Sequence, residues 1–562
     1  MSQPDSSGAV GEQAAAGSAS ETLVLLCASL QKPEIALDPS ALADWIVTAR
    51  PQTRAAVIED LCTTPGAVAD AANASTRELV LGLCSSEYRE PEVQRSARKA
   101  GIDALAIAAV NLGPYCGPPH SAQESDKKAK TLLAAAVARV QAFPGSQPGD
   151  TRPYVVGQGI SRRALFTMPP IAYRPVASID RGKCVASSGC NQCVQVCPVE
   201  ALSSVDGKIQ IARRSCAACG ICQSACPTSA AQLPGQNVRQ LEAEVGELVT
   251  NPALEADAAR AILFVCRQSS AAVDSLSRSG SPIAPCWLPL SVPCSGFVSP
   301  AIILQSLAHG ASRVGIVGCG GNCQYSQREH TQGKIDYCQE VLVALGWPPG
   351  AVEFFDASLG TSALAEGLEA PIADWQRSPA ERTSRLSFAG PAAAAAALTA
   401  LAESAQDGDA PAAIDHAYSP LGLVSIDASG CTGCGSCGQT CPTGALNLTM
   451  GDTVSLTYDP ALCTGCAQCV SICPEKVVSV SSSTDISGLL AGPQLLYEDE
   501  TVRCRSCGNP VAPAGMLKHI EDALSEDGAR PGDKAMSAIT SLCLACRSGG
   551  IPLAGDSKRD AQ

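Results

Sequence analysis

The cysteines are the residues of this chain whose type and spacing most clearly indicate chemistry. Two runs with short gaps lie between positions 184 and 226, and a proline follows the last cysteine of each run. The cysteines of these runs are Cys184, Cys190, Cys193, Cys197, Cys216, Cys219, Cys222 and Cys226. Thiolates are soft ligands that hold iron, and the short loops between them leave backbone N–H groups near the sulfur atoms. The spacing therefore predicts iron–sulfur clusters and argues against disulfides or zinc.

The same pattern occurs a second time further along the chain, again with a proline after each fourth cysteine. Both segments resemble bacterial two-cluster ferredoxins, in which the fourth cysteine of each run binds the other cluster. The resemblance implies four [4Fe–4S] clusters, each held by four cysteines. The four sets are Cys184, Cys190, Cys193 and Cys226; Cys216, Cys219, Cys222 and Cys197; Cys431, Cys434, Cys437 and Cys473; and Cys463, Cys466, Cys469 and Cys441.

A β-hairpin is expected between the two runs of each segment. LSSVDGKIQI (202–211) places Asp206-Gly207 between two apolar stretches, and ALNLTMGDTVSLTYD (445–459) places Gly451-Asp452 in the same position. Glycine with an aspartate between alternating residues is a strong signal for a tight turn.

Four short apolar runs near the N-terminus are typical of buried parallel strands. They are TLVLLC (22–27), AAVIEDLC (55–62), LVLGLC (79–84) and ALAIAAVNL (104–112). Cys27, Cys62 and Cys84 end three of these runs, and Cys116 follows the fourth. The carboxyl ends of parallel strands share one edge of a sheet, so the four thiols should converge there. From the pattern alone, an iron–sulfur site and buried structural cysteines explain these residues equally well.

A resemblance favours the iron–sulfur interpretation. The stretch LVLGLCSSEYREPEVQRSARKAGIDALAIAAVNLGPYC (79–116) is similar to the N-terminal domain of the A-type subunit of heterodisulfide reductase. The shared features are a strand that ends in cysteine, a Glu-Pro helix start, an Ala-Gly turn and a Val-Asn strand end before another cysteine. The resemblance covers about residues 22–142 and implies one [4Fe–4S] cluster on Cys27, Cys62, Cys84 and Cys116.

Three apolar runs in the middle of the chain also end in cysteine: AILFVC (261–266), LPLSVPC (288–294) and RVGIVGC (313–319). Their thiols should again meet at one sheet edge. Together with VPCSGFVSP, GASRVGIVGC and YCQEVLVALGWPPGAVEFFDAS, this stretch of about residues 260–358 resembles the delta (iron–sulfur) subunit of methyl-viologen-reducing hydrogenase. The resemblance implies a [2Fe–2S] cluster on Cys266, Cys294, Cys319 and Cys323, with Cys286 as an alternative ligand. We interpret Cys338, on an expected helix, as a packing residue.

Two C-x2-C pairs near the C-terminus, Cys504 with Cys507 and Cys543 with Cys546, form the last group. Two such pairs at a distance are typical of a tetrahedral four-cysteine zinc site. A further iron–sulfur cluster is the alternative, and we favour zinc.

A glycine-bearing stretch, YVVGQGI (154–160), faintly resembles the start of a dinucleotide-binding motif. Only 24 residues separate Gly159 from Cys184, too few for the strand–helix–strand unit that the motif needs. We interpret the stretch as a linker and expect no flavin on this chain.

The overall composition limits the classes of partner and compartment. The formal net charge of −14 argues against a nucleic-acid-binding surface, which would be basic. No apolar run is long enough to span a membrane, and residues 1–20 lack the basic and apolar regions of a secretory signal. Cysteines clustered in this way indicate metal ligation in a reducing compartment, so we expect a cytoplasmic protein.

These observations predict a multidomain α/β and α+β protein. It should contain two small parallel-sheet α/β domains, two ferredoxin-like modules and a C-terminal zinc-ribbon-like segment. The expected divisions are a disordered start (1–20), an α/β domain (21–145), a linker (146–178), a ferredoxin module (179–236), a linker helix (237–258), a second α/β domain (259–376), a linker (377–420), a second ferredoxin module (421–485) and a four-cysteine segment (496–552).

The leading hypothesis for the function is electron transfer. Serial clusters without an evident nucleophile, base or nucleotide loop predict a subunit that relays electrons between oxidoreductase partners. The resemblances imply a partner that is a hydrogenase, a formate or aldehyde dehydrogenase, or a flavin subunit. The complex would be of the heterodisulfide reductase and hydrogenase kind, in which such relays can serve flavin-based bifurcation. The alternative is a redox-sensing or assembly scaffold protein, although a sensor needs only one or two labile clusters. A thiol–disulfide enzyme that uses CRSC or CLAC is a third, weaker hypothesis, because neither motif follows a strand of a thioredoxin-like unit.

Overall fold

The computed structural model describes residues 21–85, 89–117, 120–155, 171–255, 258–279, 283–319, 323, 325, 328–369, 387–388, 390, 392–404, 413–526 and 542–550. Over these ranges the protein is a mixed α/β structure with two parallel sheets and two small modules built around cysteine loops. Residues 1–20, and most of the glycine-bearing stretch that bears on flavin binding, lie outside the described residues.

The first sheet has four parallel strands, which lie in the order second, first, third and fourth. These strands are Glu21–Cys27, Thr53–Ile58, Thr76–Leu83 and Ile107–Asn111. The helices of this unit are Pro39–Ala49, Ala67–Ala71, Glu90–Lys99, Leu112–Cys116 and Ala122–Gln141. The first and third strands occupy the centre and are buried along most of their length, which explains why their sequences are almost continuously apolar.

The second strand is shorter than its sequence suggests. We expected it to run to Cys62, but it ends at Ile58. Asp60 takes a left-handed φ of 48°, and its carbonyl oxygen accepts hydrogen bonds from the N–H groups of Thr63 and Thr64. A tight turn therefore carries Cys62, instead of the strand itself.

The second sheet repeats the arrangement of the first, with four parallel strands in the order second, first, third and fourth. Its strands are Ala261–Cys266, Trp287–Val292, Arg313–Gly318 and Val352–Asp356, and its helices are Ser270–Arg278, Pro300–Ala308, Arg328–Ala344 and Thr361–Glu369. Its short 3-10 helices are Arg267–Ser269, Ser295–Phe297 and Ala357–Leu359, and others lie at Ala28–Gln31 and Ala186–Ser188. The expected strand and helix order of the middle segment is therefore present.

One continuous apolar core joins these two α/β units. Helix Val238–Thr250, which we expected to be a linker, buries Leu241, Val245 and Leu248 in this core and packs along helix Ala122–Gln141. Between the two helices, Arg139 donates a hydrogen bond to Glu244 over 3.1 Å. The helix is amphipathic, so it joins the units by burying its apolar face.

The first ferredoxin-type module consists of short elements around its cysteine loops. Strand Ser178–Ile179 pairs with Ala231–Gln232, strand Leu202–Val205 pairs with Lys208–Ile211, and the helices are Gln192–Gln195 and Ile221–Ser224. The expected hairpin is present, and Asp206 and Gly207 take φ values of 49° and 67°, as a two-residue turn requires. Another hairpin, Thr151–Val155 with Ile171–Pro175, precedes the module where we expected a linker.

The second module has the same plan. Strand Leu423–Ile426 pairs with Val478–Ser481, strand Leu446–Met450 pairs with Thr453–Tyr458 in the expected hairpin, and the helices are Ser436–Thr440 and Gln468–Ile472. Strand Ile414–Asp415 pairs with Ser483–Thr484, and helix Ile486–Ala491 follows. The expected linker before this module contains helix Ala393–Glu403, which packs on helix Pro300–Ala308 of the middle unit.

The C-terminal segment is attached to the second module through a shared sheet. Strand Gln494–Arg503 pairs with Thr453–Tyr458 on one side and with Pro510–Pro513 on the other, which gives a four-stranded antiparallel sheet. Helices Ala514–Glu526 and Leu544–Gly550 complete the segment. None of the helices described has the length and apolar character that crossing a membrane requires.

Candidate metal centres

Four thiols of the first module line one cavity. They belong to Cys197, Cys216, Cys219 and Cys222, which we call the Cys219 set. Cys197 comes from the first run of cysteines and the other three from the second, as the ferredoxin resemblance implies. The backbone N–H of Ala201 donates to Cys197 Sγ over 3.2 Å, the kind of contact that stabilises a charged sulfur. The Cys219 set therefore has four soft donors directed at one space.

Cys226 belongs to the second run of cysteines but lies with three cysteines of the first run. Together with Cys184, Cys190 and Cys193 it forms the Cys190 set. Burial, followed by the nearby thiolates of Cys226, Cys190 and Cys184, raises the pKa of Cys193 to about 12. The N–H groups of Ala230 and Ala231 donate to Cys226 Sγ over 3.2 and 3.3 Å. Thiols whose pKa is raised by burial and by each other must release protons when they bind a metal.

The second module repeats both sets. Cys431, Cys434, Cys437 and Cys473 line one cavity and form the Cys434 set. Cys441, Cys463, Cys466 and Cys469 form the Cys466 set. Burial, followed by the thiolates of Cys463, Cys466 and Cys441, raises the pKa of Cys469 to about 12. The structure thus brings together the four cysteines of each ferredoxin set.

The spacing of the sulfur atoms distinguishes a cluster from a single ion. Among the described residues, no ferredoxin set has all its sulfur atoms within 4.8 Å of one another. The sulfur ligands of a tetrahedral zinc ion, bound at about 2.3 Å, lie only about 3.8 Å apart. A [4Fe–4S] cage is wider than one ion, so these all-thiol sets fit a [4Fe–4S] cluster.

Four cysteines of the middle unit also converge, and we call Cys266, Cys294, Cys319 and Cys323 the Cys294 set. Cys266 and Cys294 follow adjacent parallel strands, and a hydrogen bond from Cys294 is the main reason that the pKa of Cys266 falls to about 6. Burial, followed by the charges of Cys266 and Cys323, raises the pKa of Cys319 to about 12. The four sulfur atoms are not all within 4.8 Å of one another, again wider than one ion requires. Four thiolates around such a space fit the [2Fe–2S] cluster that the resemblance implies.

Cys286 does not join the Cys294 set. It precedes strand Trp287–Val292, whereas Cys294 follows that strand, so the two cysteines lie at opposite edges of the sheet. Its carbonyl oxygen accepts the N–H of Ala261 at the start of the neighbouring strand. Cys286 is therefore placed too far along the sheet to act as the alternative ligand. Cys338 is fully buried in the core, as expected for a packing residue.

Three of the four N-terminal cysteines converge. Cys84 Sγ lies 3.6 Å from Cys27 Sγ and 3.4 Å from Cys62 Sγ, and we call these residues the Cys27 group. Hydrogen bonds from Cys62 and then Cys84 lower the pKa of Cys27, and the hydrogen bonds to Cys27 raise the pKa of Cys62 and of Cys84. The group therefore stabilises a thiolate, which is the metal-binding form of cysteine.

Cys116 is not among the thiols that lie within 4.8 Å of one another in this group. It ends the short helix Leu112–Cys116 and is fully buried. Burial raises its pKa to about 12, and the charge that most opposes this rise is that of Lys128. The sequence did not reveal the short helix that carries this thiol, and this helix packs at Gly113 against the backbone of Cys84. Three of the four thiols that we predicted to bind an N-terminal [4Fe–4S] cluster are thus close together. Ligation by Cys116 stays a prediction from the resemblance.

The C-terminal cysteines Cys504, Cys507, Cys543 and Cys546 are brought together although 35 residues separate the two pairs. All four sulfur atoms lie within 4.8 Å of one another, and Cys507 Sγ is 3.5 Å from Cys543 Sγ. Gly508, with a φ of 74°, forms the turn after the first pair. This compact arrangement fits the spacing of a single tetrahedral ion such as zinc.

The sequence did not reveal that Lys334 lies near a candidate metal centre. It lies on helix Arg328–Ala344, and its Nζ donates to the carbonyl oxygen of Gly296 over 2.9 Å. Burial lowers its pKa to about 8, and the charge of Cys294 partly opposes the fall. A lysine on an expected helix carries no signal of this position, because only folding brings the helix next to the loop after Cys294.

Comparison with known families agrees with this geometry. Residues 261–367 match the family model described as methyl-viologen-reducing hydrogenase, delta subunit. Residues 177–227 and residues 430–477 each match a model described as a 4Fe-4S dicluster domain. No curated protein matches the chain. The protein is therefore an iron–sulfur, electron-transfer protein with two [4Fe–4S] dicluster domains and a segment similar to a hydrogenase delta subunit.

Proposed function

We propose that the chain relays electrons between oxidoreductase partners as the multi-cluster subunit of a complex related to heterodisulfide reductases and hydrogenases. The observation that carries the proposal is the crossing-over of the fourth cysteines. Cys197 and Cys226 exchange between the runs of the first module, and Cys441 and Cys473 do so in the second. Each module thereby places two four-thiol sites side by side, which an electron carrier uses and a single-site sensor does not need.

The proposed cofactors follow from the donor sets. We assign one [4Fe–4S] cluster to each of the Cys190, Cys219, Cys434 and Cys466 sets, and one [2Fe–2S] cluster to the Cys294 set. The Cys27 group keeps the fifth [4Fe–4S] cluster that the resemblance implies, although its three sulfur atoms lie within 4.8 Å of one another, a spacing that also suits a single ion. Zinc is assigned to Cys504, Cys507, Cys543 and Cys546. When bound, each cluster supplies a one-electron redox centre, while the chain's own residues hold it and donate N–H groups to its sulfur ligands.

The proposed domain division keeps two ferredoxin modules. The module at 179–236 lies between the two α/β units in the sequence, and the module at 421–485 follows the second unit. The shared core supports treating residues 21–145, 237–258 and 259–376 as one packed body instead of separate domains. The C-terminal four-cysteine segment is proposed as a zinc-ribbon-like extension of the second module.

The proposed partners are redox subunits: a hydrogenase, a formate or aldehyde dehydrogenase, or a flavin subunit. The match to a hydrogenase delta subunit supports a partner of this class. We propose a cytoplasmic location and a role without flavin on this chain, and flavin-based bifurcation would then take place on a partner.

Anaerobic purification from native cells tests this proposal. We expect co-purifying oxidoreductase subunits and reduced-state EPR signals of [4Fe–4S] clusters. A variant in which Cys197 and Cys226 are both changed to Ala should lose about eight irons per chain, since one ligand of each cluster in the first module is removed. The matched control is Cys338→Ala, which removes a buried cysteine outside every set and should keep the parental iron content. A parent protein with only a few irons, or equal iron loss in both variants, would refute the proposal.

A further inference from the structure

The order of the cysteine sets in space differs from their order in sequence. The middle unit follows the first ferredoxin module along the chain and separates it from the second. In the structure, however, the first module contacts both the middle unit and the second module, and each contact involves a cysteine loop. This inference rests on the proposed function and deepens it.

The Cys294 set contacts the first module through the Cys219 set. The 3-10 helix Ser295–Phe297, directly after Cys294, packs against helix Ile221–Ser224. Ser224 Oγ donates to the carbonyl oxygen of Gly296 over 3.2 Å, the same oxygen that accepts from Lys334. At Gly220 an added Cβ would lie 2.5 Å from the ring of Phe297, so no larger residue fits between the two loops.

The thiols themselves are close at this junction. Cys219 is among the charges that raise the pKa of Cys294, after the hydrogen bond from Cys266 and burial. Within the first module, Cys193 and Cys222 lie in one small apolar core, so the Cys219 and Cys190 sets are neighbours. The first module therefore has one set that faces the middle unit and another that faces away from it.

The Cys190 set contacts the second module. Gly189, directly before Cys190, has a left-handed φ of 91°, and an added Cβ would lie 3.2 Å from Gln468 Oε1 and 3.3 Å from its Nε2. Gln468 begins the short helix that carries Cys469. Burial raises the pKa of Cys190, and the charge of Cys466 is among those that raise it further. The Cys190 and Cys466 sets therefore meet across the boundary between the modules.

The Cys434 set continues from the Cys466 set. Cys437, Cys463 and Cys469 share one core, and helices Ser436–Thr440 and Gln468–Ile472 pack on each other. In contrast, the groups that most shift the pKa of the three thiols in the Cys27 group are its own cysteines and the adjacent backbone. Among the described cysteines, the Cys27 group therefore stands apart from this series of contacts.

We propose that five sets form a single file for electrons, in the order Cys294, Cys219, Cys190, Cys466 and Cys434, joined between the modules at Gly189 and Gln468. The rate of electron tunnelling falls steeply with distance, so neighbouring sets exchange electrons and distant sets do not. The electron lost at one set is the electron gained at the next. Partner redox proteins supply it at one end of the file and remove it at the other, so the Cys294 and Cys434 sets are the two terminal sites.

Two matched variants of the full-length protein test the order. Cys466→Ala removes a ligand of the set that meets the first module, and Cys434→Ala removes a ligand of the far set of the same module. Each should lose about four irons per chain. Pulsed EPR of the fully reduced proteins measures how fast the signals of the first module relax, which reports a neighbouring paramagnetic cluster. We expect relaxation to slow in Cys466→Ala and to stay at the parental rate in Cys434→Ala.

A second pair of variants leaves every ligand in place. Gln468→Trp puts bulk at the junction, while Gln439→Trp puts it at an exposed position of the sister helix Ser436–Thr440. Both should keep the parental iron content, and only Gln468→Trp should slow the relaxation of the first-module signals. Parental relaxation in both Gln468→Trp and Cys466→Ala, or equal slowing in each variant and its control, would overturn the order. Low iron in the parent itself would instead refute the proposed function.

Discussion

Cys116 illustrates how a metal site depends on the direction of a single side chain. Its position in the sequence matches that of Cys27, Cys62 and Cys84, since all four come at or soon after the end of an apolar run. In the structure, the one-turn helix Leu112–Cys116 places it in the buried core near Lys128, and its thiol is not among the three that lie within 4.8 Å of one another. The three remaining thiols still form a site that stabilises a thiolate.

This difference can be measured through iron content. Cys27→Ala should lose about four irons per chain, because it removes a thiolate from the Cys27 group. Cys116→Ala should lose none, because its thiol is not among the three that converge on that group. The measurement is anaerobic iron and acid-labile sulfide analysis of both variants beside the parent. Equal iron loss in the two variants would show that Cys116 is the fourth ligand after all.

The Cys294 set gives a second prediction at the scale of the residue. Cys294→Ser and Cys319→Ser should each remove one [2Fe–2S] EPR signal and leave the [4Fe–4S] signals of the two modules, because serine keeps the size but lacks the soft sulfur that holds iron. Cys286→Ser is the matched control, since Cys286 lies at the other edge of the same sheet and should keep the signal. A [2Fe–2S] signal that persists in both ligand variants would make the middle unit a structural or docking domain.

At the scale of secondary structure, helix Val238–Thr250 connects the two α/β units by packing and not only by covalent continuity. Leu248 is 1% exposed in the shared core. Leu248→Ala should therefore lower the free energy of unfolding by about 2–5 kcal/mol, through lost burial and the cavity left behind. Thermal unfolding followed by circular dichroism measures the change. Val47→Ala, at a side chain that is 41% exposed, should change the stability by less than about 0.5 kcal/mol. Similar midpoints for the two variants would mean that the helix is the linker that we first expected.

Strand Gln494–Arg503 has a similar effect at the C-terminal end, because it ties the four-cysteine group to the second module through a shared sheet. Cys507→Ala should lose one zinc per chain and keep the parental iron content, since the sulfur atoms of this group are spaced for a single ion. Elemental analysis of zinc and iron in the same sample measures both values. A loss of about four irons with no change in zinc would instead favour the iron–sulfur alternative at these cysteines.

At the scale of the whole molecule, the proposed cofactors set the total iron content. Four ferredoxin clusters need about sixteen irons, and the Cys27 and Cys294 sites would add about four and two. We expect the anaerobically purified chain to approach this total, with acid-labile sulfide in equal amount. An iron content near one cluster per chain would contradict the relay and favour the sensor or scaffold hypothesis.

The sequence by itself determined the features that depend on short stretches of backbone. The short gaps between cysteines dictate which thiols share a loop, whereas the crossing of Cys197 and Cys226 came from the resemblance to two-cluster ferredoxins. Asp206-Gly207 likewise predicted its hairpin, because a tight turn depends on the residues that form it. Continuous apolar runs predicted the parallel strands that carry Cys27 and Cys266, since strands buried on both faces exclude polar side chains.

Only the tertiary structure decided the contacts between segments that lie far apart in the sequence. It set Lys334 beside the loop after Cys294 and brought Gly189 against Gln468. Such contacts depend on how complete helices and sheets pack, and no local pattern records that packing. The spacing of cysteines therefore reveals which thiols can bind clusters, whereas the order in which those sites meet follows from the close approach of surfaces that the folded core alone determines.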